Sequence, residues 1–244
     1  MRLPAPKALP SAFALLALAA GCGGVRIQDL SAKPPLPDGA CVVVGFLGGR
    51  DRWNDEDKGV RRLALALRDL GRNIFAETFE NRRREVAEEF VREAMGGGDS
   101  GQRLVVYGQS FGGAAVVKFA RSLEKLSIPV TLTVQIDSVG RGDDRVPANV
   151  RYALNLFQSD GWFIRGEQPI RAEDLEKTVI LGNERFEYDR PPGSTIDVAD
   201  VPWWKLVFRI PHARMDRDER VWDLAGRAIR AACAGEDLAL FPRD

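Results

Sequence analysis

The sequence predicts an α/β protein: a three-layer α/β/α sandwich around a mostly parallel sheet of about six strands. Two observations carry this prediction. Short apolar runs rich in Val, Ile and Leu alternate along the chain with stretches of helical spacing, the order of elements that produces a parallel sheet covered on both faces. One of those runs, Arg103–Tyr107, leads straight through Gly108-Gln109-Ser110-Phe111-Gly112 into the small-residue stretch Gly113–Ala120, which reads as strand, tight turn and helix. At 244 residues and 45% hydrophobic content the chain is large enough to bury a substantial core as one domain.

Taken in order, Cys41–Phe46 reads as a buried strand. Glu56–Leu70 carries Val60, Leu63, Leu67 and Leu70 at helical spacing and stops at Gly71, and Asn73–Thr78 is a short strand. Glu85–Met95 is a charged amphipathic helix stopped by Gly96-Gly97-Gly98. The strand Arg103–Tyr107 follows, then a helix to about Leu126 in which Ala114, Ala115, Val116, Val117, Phe119 and Ala120 supply an apolar face. Val130–Ile136 and Val150–Phe157 are the next strands. The segment Gly161–Trp204 is a cap or a long excursion, Lys205–Ile210 is the last strand, and Arg217–Ala232 the last helix. There is no internal repeat.

The first residues belong to another category. Arg2 and Lys7 precede the apolar run Ala8–Ala20, too short to span a bilayer comfortably, so residues 1–21 read as a secretory signal peptide. The run ends Leu18-Ala19-Ala20-Gly21-Cys22, which resembles a bacterial lipobox with Ala19 where leucine is preferred; Cys22 is then the residue that carries the lipid. Ordinary cleavage, with Cys22 incidental and the product soluble outside the cytoplasm, is the competing reading. Residues 22–38, with prolines at 34, 35 and 37, form a tether to a domain over residues 39–244. In an exported protein Cys41 and Cys233, placed at the same end of the sheet, are candidates for a disulfide; two separate buried thiols are the alternative.

Charge excludes one class of function. Lys+Arg 35 equals Asp+Glu 35, and the cluster Arg82, Arg83, Arg84 is answered by Glu85, Glu88 and Glu89, a solvated helix face rather than a nucleic-acid surface. No ligand cluster for a metal and no phosphate-cradling loop appears, so no cofactor is expected.

The glycines around Ser110 have a chemical reason. A serine presented on a sharp strand-to-helix turn needs small neighbours two positions before and after it, and its hydroxyl then sits at the carboxyl edge of the sheet beside the first helical N–H groups. A serine nucleophile needs a base, and the chain has one histidine, His212, expected in a loop after the last strand and Pro211 at that same edge. The base needs a carboxylate behind it. Asp137 ends the strand after the serine's own, Asp160 ends the following one, and Asp174, Asp197 and Asp200 lie in the irregular segment; Asp216 and Asp218 read as helix-start residues. For an oxyanion the donors expected are the N–H of Phe111 and one from Phe46 or Leu47 in the loop Gly45-Phe46-Leu47-Gly48-Gly49.

Gly108–Gly112, Asp137 and His212, in that order on alternating strands and helices, resemble the α/β-hydrolase superfamily from about Cys41 to Ala232. The form is a reduced one. No convincing counterpart of two leading antiparallel strands precedes Cys41, and no His-Gly pair marks the oxyanion loop; an acid on the strand next after the serine's resembles the thioesterase branch. The resemblance implies hydrolysis of a carboxylic ester or thioester through an acyl-Ser110, with a small or lipid-like acyl substrate. Two other classes of function stay open: an acyltransferase, and a non-catalytic envelope lipoprotein that binds a ligand or partner in the same cleft. Trp53, Trp162, Phe163, Trp203 and Trp204 fall in connections that open near the site, as an acyl pocket or as packing anchors.

Overall fold

A computed structural model of the chain describes residues 30–71, 73–95, 101–161, 164–166, 169–201, 203–206 and 210–241. The expected signal peptide and the candidate lipidation residue Cys22 lie outside the described residues. Among the described residues the central sheet is six-stranded and parallel throughout, its strands lying side by side in the order Ile74–Glu80, Cys41–Leu47, Arg103–Gln109, Val130–Ile136, Val150–Phe157, Val179–Arg185.

In chain order the elements are β1 (Cys41–Leu47), α1 (Gly59–Asp69), β2 (Ile74–Glu80), α2 (Arg84–Ala94), β3 (Arg103–Gln109), α3 (Phe111–Lys125) and β4 (Val130–Ile136). Then come a two-residue β5 (Arg145–Val146), β6 (Val150–Phe157), a two-residue β7 (Arg171–Ala172) paired with β5, β8 (Val179–Arg185), a short α4 (Trp203–Leu206), α5 (Ile210–Arg217) and α6 (Glu219–Ala234).

The strands are apolar runs because both faces of the sheet are covered. In β1 every residue is buried: Cys41, Val43 and Leu47 join Val60, Leu63 and Leu67 of α1 and Val221, Ala225 and Ile229 of α6, while Val42, Val44 and Phe46 join Phe90 and Val91 of α2 and Val116 and Phe119 of α3. Two cores therefore lie back to back across one sheet. Phe46 packs edge-on against Phe119 with ring centroids 5.2 Å apart, a favoured aromatic geometry.

The end of the expected tether lies against this domain. Ser31 Oγ and the N–H groups of Ser31 and Ala32 all donate to Glu77 Oε1 of β2, at 2.6, 2.7 and 2.9 Å, and Arg68 of α1 reaches the other carboxylate oxygen at 2.6 Å. Glu77 is fully buried, and these donors are what make a buried carboxylate tolerable at an edge strand.

Two assignments made from sequence need correction. Among the described residues the last strand of the sheet is β8, inside the stretch read as a cap or excursion, and none of those in Lys205–Ile210 lies in a strand. Its described residues fall in α4 and at the start of α5, with 207–209 outside the described residues. The reason is visible in β8, an edge strand whose composition, Val-Ile-Leu-Gly-Asn-Glu-Arg, drops from apolar to polar after three residues because only part of it is buried. His212 consequently sits in the first turn of a helix rather than in a loop, and Pro211 occupies a first-turn position where its missing N–H is harmless.

Cys41, the first residue of β1, and Cys233, near the end of α6, are joined by a disulfide that closes a loop of 192 residues. A cross-link over so long a loop removes much of the freedom of the unfolded chain. Replacing both cysteines by serine is expected to lower the unfolding free energy by about 2–5 kcal/mol; denaturant titration of the two proteins measures it, and coincident curves contradict the expectation.

Candidate functional site

Ser110 stands between β3 and α3 with φ 58° and ψ −127°, a region that costs a side-chain-bearing residue about 1–3 kcal/mol. Neighbouring backbone holds it there. Its N–H donates to Ile136 O at 3.0 Å, and its carbonyl accepts from Gly113 N–H at 2.9 Å and Val139 N–H at 3.0 Å. The flanking glycines are required by space. A Cβ on Gly112 would lie 2.0 Å from Phe46 O, and one on Gly108 would lie 2.5 Å from Gly112 O, both far inside van der Waals contact. Three backbone segments meet here, the end of β1, the end of β3 and the start of α3, and none leaves room for a side chain.

Asp137 immediately follows β4. The register pairs Gln109 with Ile136, so Ser110 and Asp137 are the next residues out on adjacent strands. Asp137 too has positive φ, 43°, and its N–H donates to Leu156 O at 2.7 Å. Its side chain is fully buried. Oδ2 lies 2.5 Å from Nδ1 of His212; since a carboxylate only accepts, Nδ1 is the protonated ring nitrogen, which leaves Nε2 as an acceptor. Gln158 Nε2, also buried, lies 3.1 and 3.3 Å from the two carboxylate oxygens.

The structure thus brings Asp137, and not Asp160, to the histidine. Asp160 accepts from Arg185 Nη2 at 2.8 Å and from Tyr188 N–H at 2.5 Å, fixing the end of β8 to the turn after β6. Asp174 pairs with Lys177, Asp200 with Arg217, and Asp197 accepts from Ala199 N–H. Asp218 caps α6 as expected, whereas Asp216 serves a different helix, accepting from the N–H of Gly59 at the start of α1 at 3.1 Å.

The helix carrying His212 is fastened on two sides. Arg214 Nη1 donates to Tyr188 O at 3.1 Å, and the buried Tyr188 hydroxyl donates to Asp218 Oδ2 at 2.9 Å. Burial first, and the Asp218 charge second, push the Tyr188 phenol well above its ordinary range, so it stays a donor. On the other side Asp216 ties α5 to α1 through Gly59, and Trp222 Nε1 donates to Asp216 O at 2.8 Å. None of these anchors was identified from sequence; all but the Trp222–Asp216 bond join elements distant along the chain.

Of the expected oxyanion donors, Phe111 opens α3, where first-turn N–H groups have no helical partner. Phe46 lies within β1 with its carbonyl against Gly112, and Leu47 is the last residue of that strand. The residue that comes against the serine is Gly48, whose Cβ position would be 3.0 Å from Ser110 Cβ and 3.6 Å from its Oγ. A residue that sequence reading passed over holds this loop: Asn81, just after β2, donates through Nδ2 to Leu47 O at 2.9 Å and Gly49 O at 2.8 Å. An asparagine after a strand reads only as a turn former.

The aromatic residues divide. Trp53 lies over the guanidinium of Arg61 at 5.6 Å, and its carbonyl accepts from Thr78 Oγ1 at 2.7 Å, which makes it a packing anchor. Trp162, Phe163 and the side chain of Trp204 fall outside the described residues, and Trp203 is exposed. Among the described residues no group of His, Cys, Asp and Glu is placed to hold a metal ion, and no helix is long and apolar enough to cross a membrane.

Lipase B of Aspergillus fumigatus has a similar structure, with a TM-score of 0.50 at 10% identity over 83% of this chain and 55% of that one. The chain therefore spans little more than half the length of lipase B. A cutinase-like protein from Cryptococcus sp. gives a TM-score of 0.40 at 11% identity over 84% of this chain and 100% of that one. No family model and no curated protein matches the sequence. At such identity the likeness to lipase B concerns the α/β fold.

The crowding at the turn makes a direct prediction. Gly112→Ala is expected to destabilise the protein by about 3 kcal/mol or to prevent folding, whereas Gly142→Ala, at positive φ but with open space around it, costs about 1 kcal/mol. Equal unfolding midpoints for the two variants would contradict this reading.

Proposed function

We propose that this chain is a serine hydrolase of carboxylic esters, with Ser110 as nucleophile, His212 as general base and acid, and Asp137 as the carboxylate that orients the imidazole. The observation that carries the proposal is the 2.5 Å contact from His212 Nδ1 to the fully buried Asp137, one strand over from a serine held on a strained turn. A chain with one histidine has spent it on this contact.

In the reaction His212 Nε2 takes the hydroxyl proton as Ser110 Oγ bonds to the acyl carbon. The resulting imidazolium is stabilised by Asp137, and the oxyanion by the N–H of Phe111 and a second donor. We assign that donor to Gly48, a revision of the Phe46 or Leu47 expected earlier. In a trans peptide C=O and N–H point opposite ways, so Asn81, by binding Leu47 O, directs the Gly48 N–H away from itself, and Gly48 is the loop residue packed against Ser110. Collapse breaks the acyl–oxygen bond, and His212 returns its proton to the departing alcohol. Water then enters by the same steps, transferring a proton to His212 as its oxygen attacks the acyl-serine, and the acid is released with Ser110 regenerated.

Support for an apolar acyl group comes from Phe111, beside the serine, and Ile210, in the first turn of the His212 helix, which leave 53% and 42% of their surfaces in solvent. Large apolar side chains left open at a reactive edge suit an apolar substrate. The proposal places the protein outside the cytoplasm, attached through a lipid on Cys22. The Cys41–Cys233 bond supports an oxidising compartment.

The test is a chain-length panel of activated esters with wild type, Asp137→Asn and Asp160→Asn. Asp137→Asn is expected to lower kcat by about 10³–10⁴, whereas Asp160→Asn, which breaks a structural contact, stays within about tenfold of wild type. Equal losses at the two positions, or no turnover by folded wild type, would sink the proposal.

A further inference from the structure

The carboxylate of Asp137 cannot orient an imidazole unless something orients the carboxylate. It has no exposure to solvent, so its charge and its rotation about the side-chain bonds are governed by the groups packed on it. Among the described residues it is bonded, besides His212, by the side chain of Gln158, whose Nε2 lies 3.1 Å from Oδ2 and 3.3 Å from Oδ1. A carboxylate straddled by one amide N–H and bonded through Oδ2 to the imidazole is held at two points, which fixes its position.

Gln158 is itself built in. It is fully buried and its side chain is the centre of the turn that follows β6. Its Oε1 accepts from Gly161 N–H at 2.9 Å, its Nε2 also donates to Ile164 O at 2.9 Å, and its carbonyl accepts from Gly166 N–H at 3.0 Å. These partners settle which end of the amide is which. With Oε1 turned to an N–H and Nε2 turned to a carbonyl, the end facing Asp137 can only be the donor. The turn then closes Gly166 over the acid: a Cβ there would lie 2.5 Å from Asp137 Oδ1 and 2.8 Å from the Cβ of Phe157. A side chain at 166 would displace the carboxylate.

We propose that Gln158 is the positioning residue of this site: its side-chain amide, locked by the turn it organises, holds the Asp137 carboxylate where Oδ2 meets His212 Nδ1. The proposal rests on the reading of Asp137 and His212 as catalytic partners. Gln158 touches neither substrate nor reacting atoms and acts through Asp137 alone.

One histidine makes the test direct, because the low-field proton NMR signal of an imidazole N–H held by a buried carboxylate has one possible source in this chain. Wild type is expected to show that signal. In Gln158→Leu, which keeps side-chain bulk and removes the amide, the signal is lost or broadened, kcat falls about 10–100-fold, and KM stays within about twofold. In the Asp137→Asn background the same substitution causes no further loss, because a residue acting through Asp137 has nothing left to act on. A Gln158→Leu protein that keeps both signal and kcat, or that loses activity equally in both backgrounds, overturns the proposal. Should Gln158→Leu not fold, hydrogen exchange of the Gln158 side-chain amide in wild type and Asp137→Asn decides instead: faster exchange without the carboxylate supports the contact, and equal rates refute it. Absence of ester turnover by wild type would remove the functional reading while leaving the imidazole and amide signals to judge Gln158.

Discussion

Everything at the carboxyl edge of the sheet depends on the close approach of backbone to backbone around Ser110. The carbonyl of Phe46 at the end of β1 sits where a Cβ of Gly112 would be, and the carbonyl of Gly112 presses on Gly108. With no side chains between them, β1, β3 and α3 converge, the serine is forced to positive φ, and its hydroxyl emerges beside the first N–H groups of α3. The two cores packed back to back on the sheet supply the free energy that holds this strained turn in place.

From that point the site is assembled by register. Because β4 pairs in parallel with β3, the residue after Ile136 falls beside the serine, and it is an aspartate. Because β6 pairs with β4, the turn after Phe157 falls beside that aspartate, and Gln158 and Gly166 enclose it. His212 arrives from the far end of the sequence on a helix pinned through Arg214 and Asp216 to the Tyr188 segment, α1 and α6. The polar anchors lie at the ends of elements, where backbone groups need partners in any case, so orienting the histidine adds few buried polar groups to the core.

Sequence displayed the parts of this arrangement that are local. Gly108–Gly112 after an apolar run, Asp137 at the end of the next run and a lone histidine near the last helix are patterns readable over a few residues, and they gave the fold class and the residues now found at one edge. What stayed hidden depends on tertiary pairing. β8 was invisible because an edge strand with a half-exposed face carries Asn, Glu and Arg where a central strand carries Val and Leu. The helix around His212 was missed because Lys205–Ile210 has the composition of a strand, while its fate is decided by β8 having taken the place beside β6. Gln158 and Asn81 read as ordinary polar turn residues; their importance lies in which carbonyl or carboxylate each amide meets, and only the folded chain shows that.

The central claim is that Ser110 is a nucleophile activated at this edge. Its most direct test is reaction of the purified protein with a fluorophosphonate, followed by intact mass and peptide mapping. The account predicts a single adduct on Ser110, absent from Ser110→Ala and formed far more slowly by His212→Ala. A folded wild-type protein that remains unlabelled, or an adduct on any other residue, would contradict it.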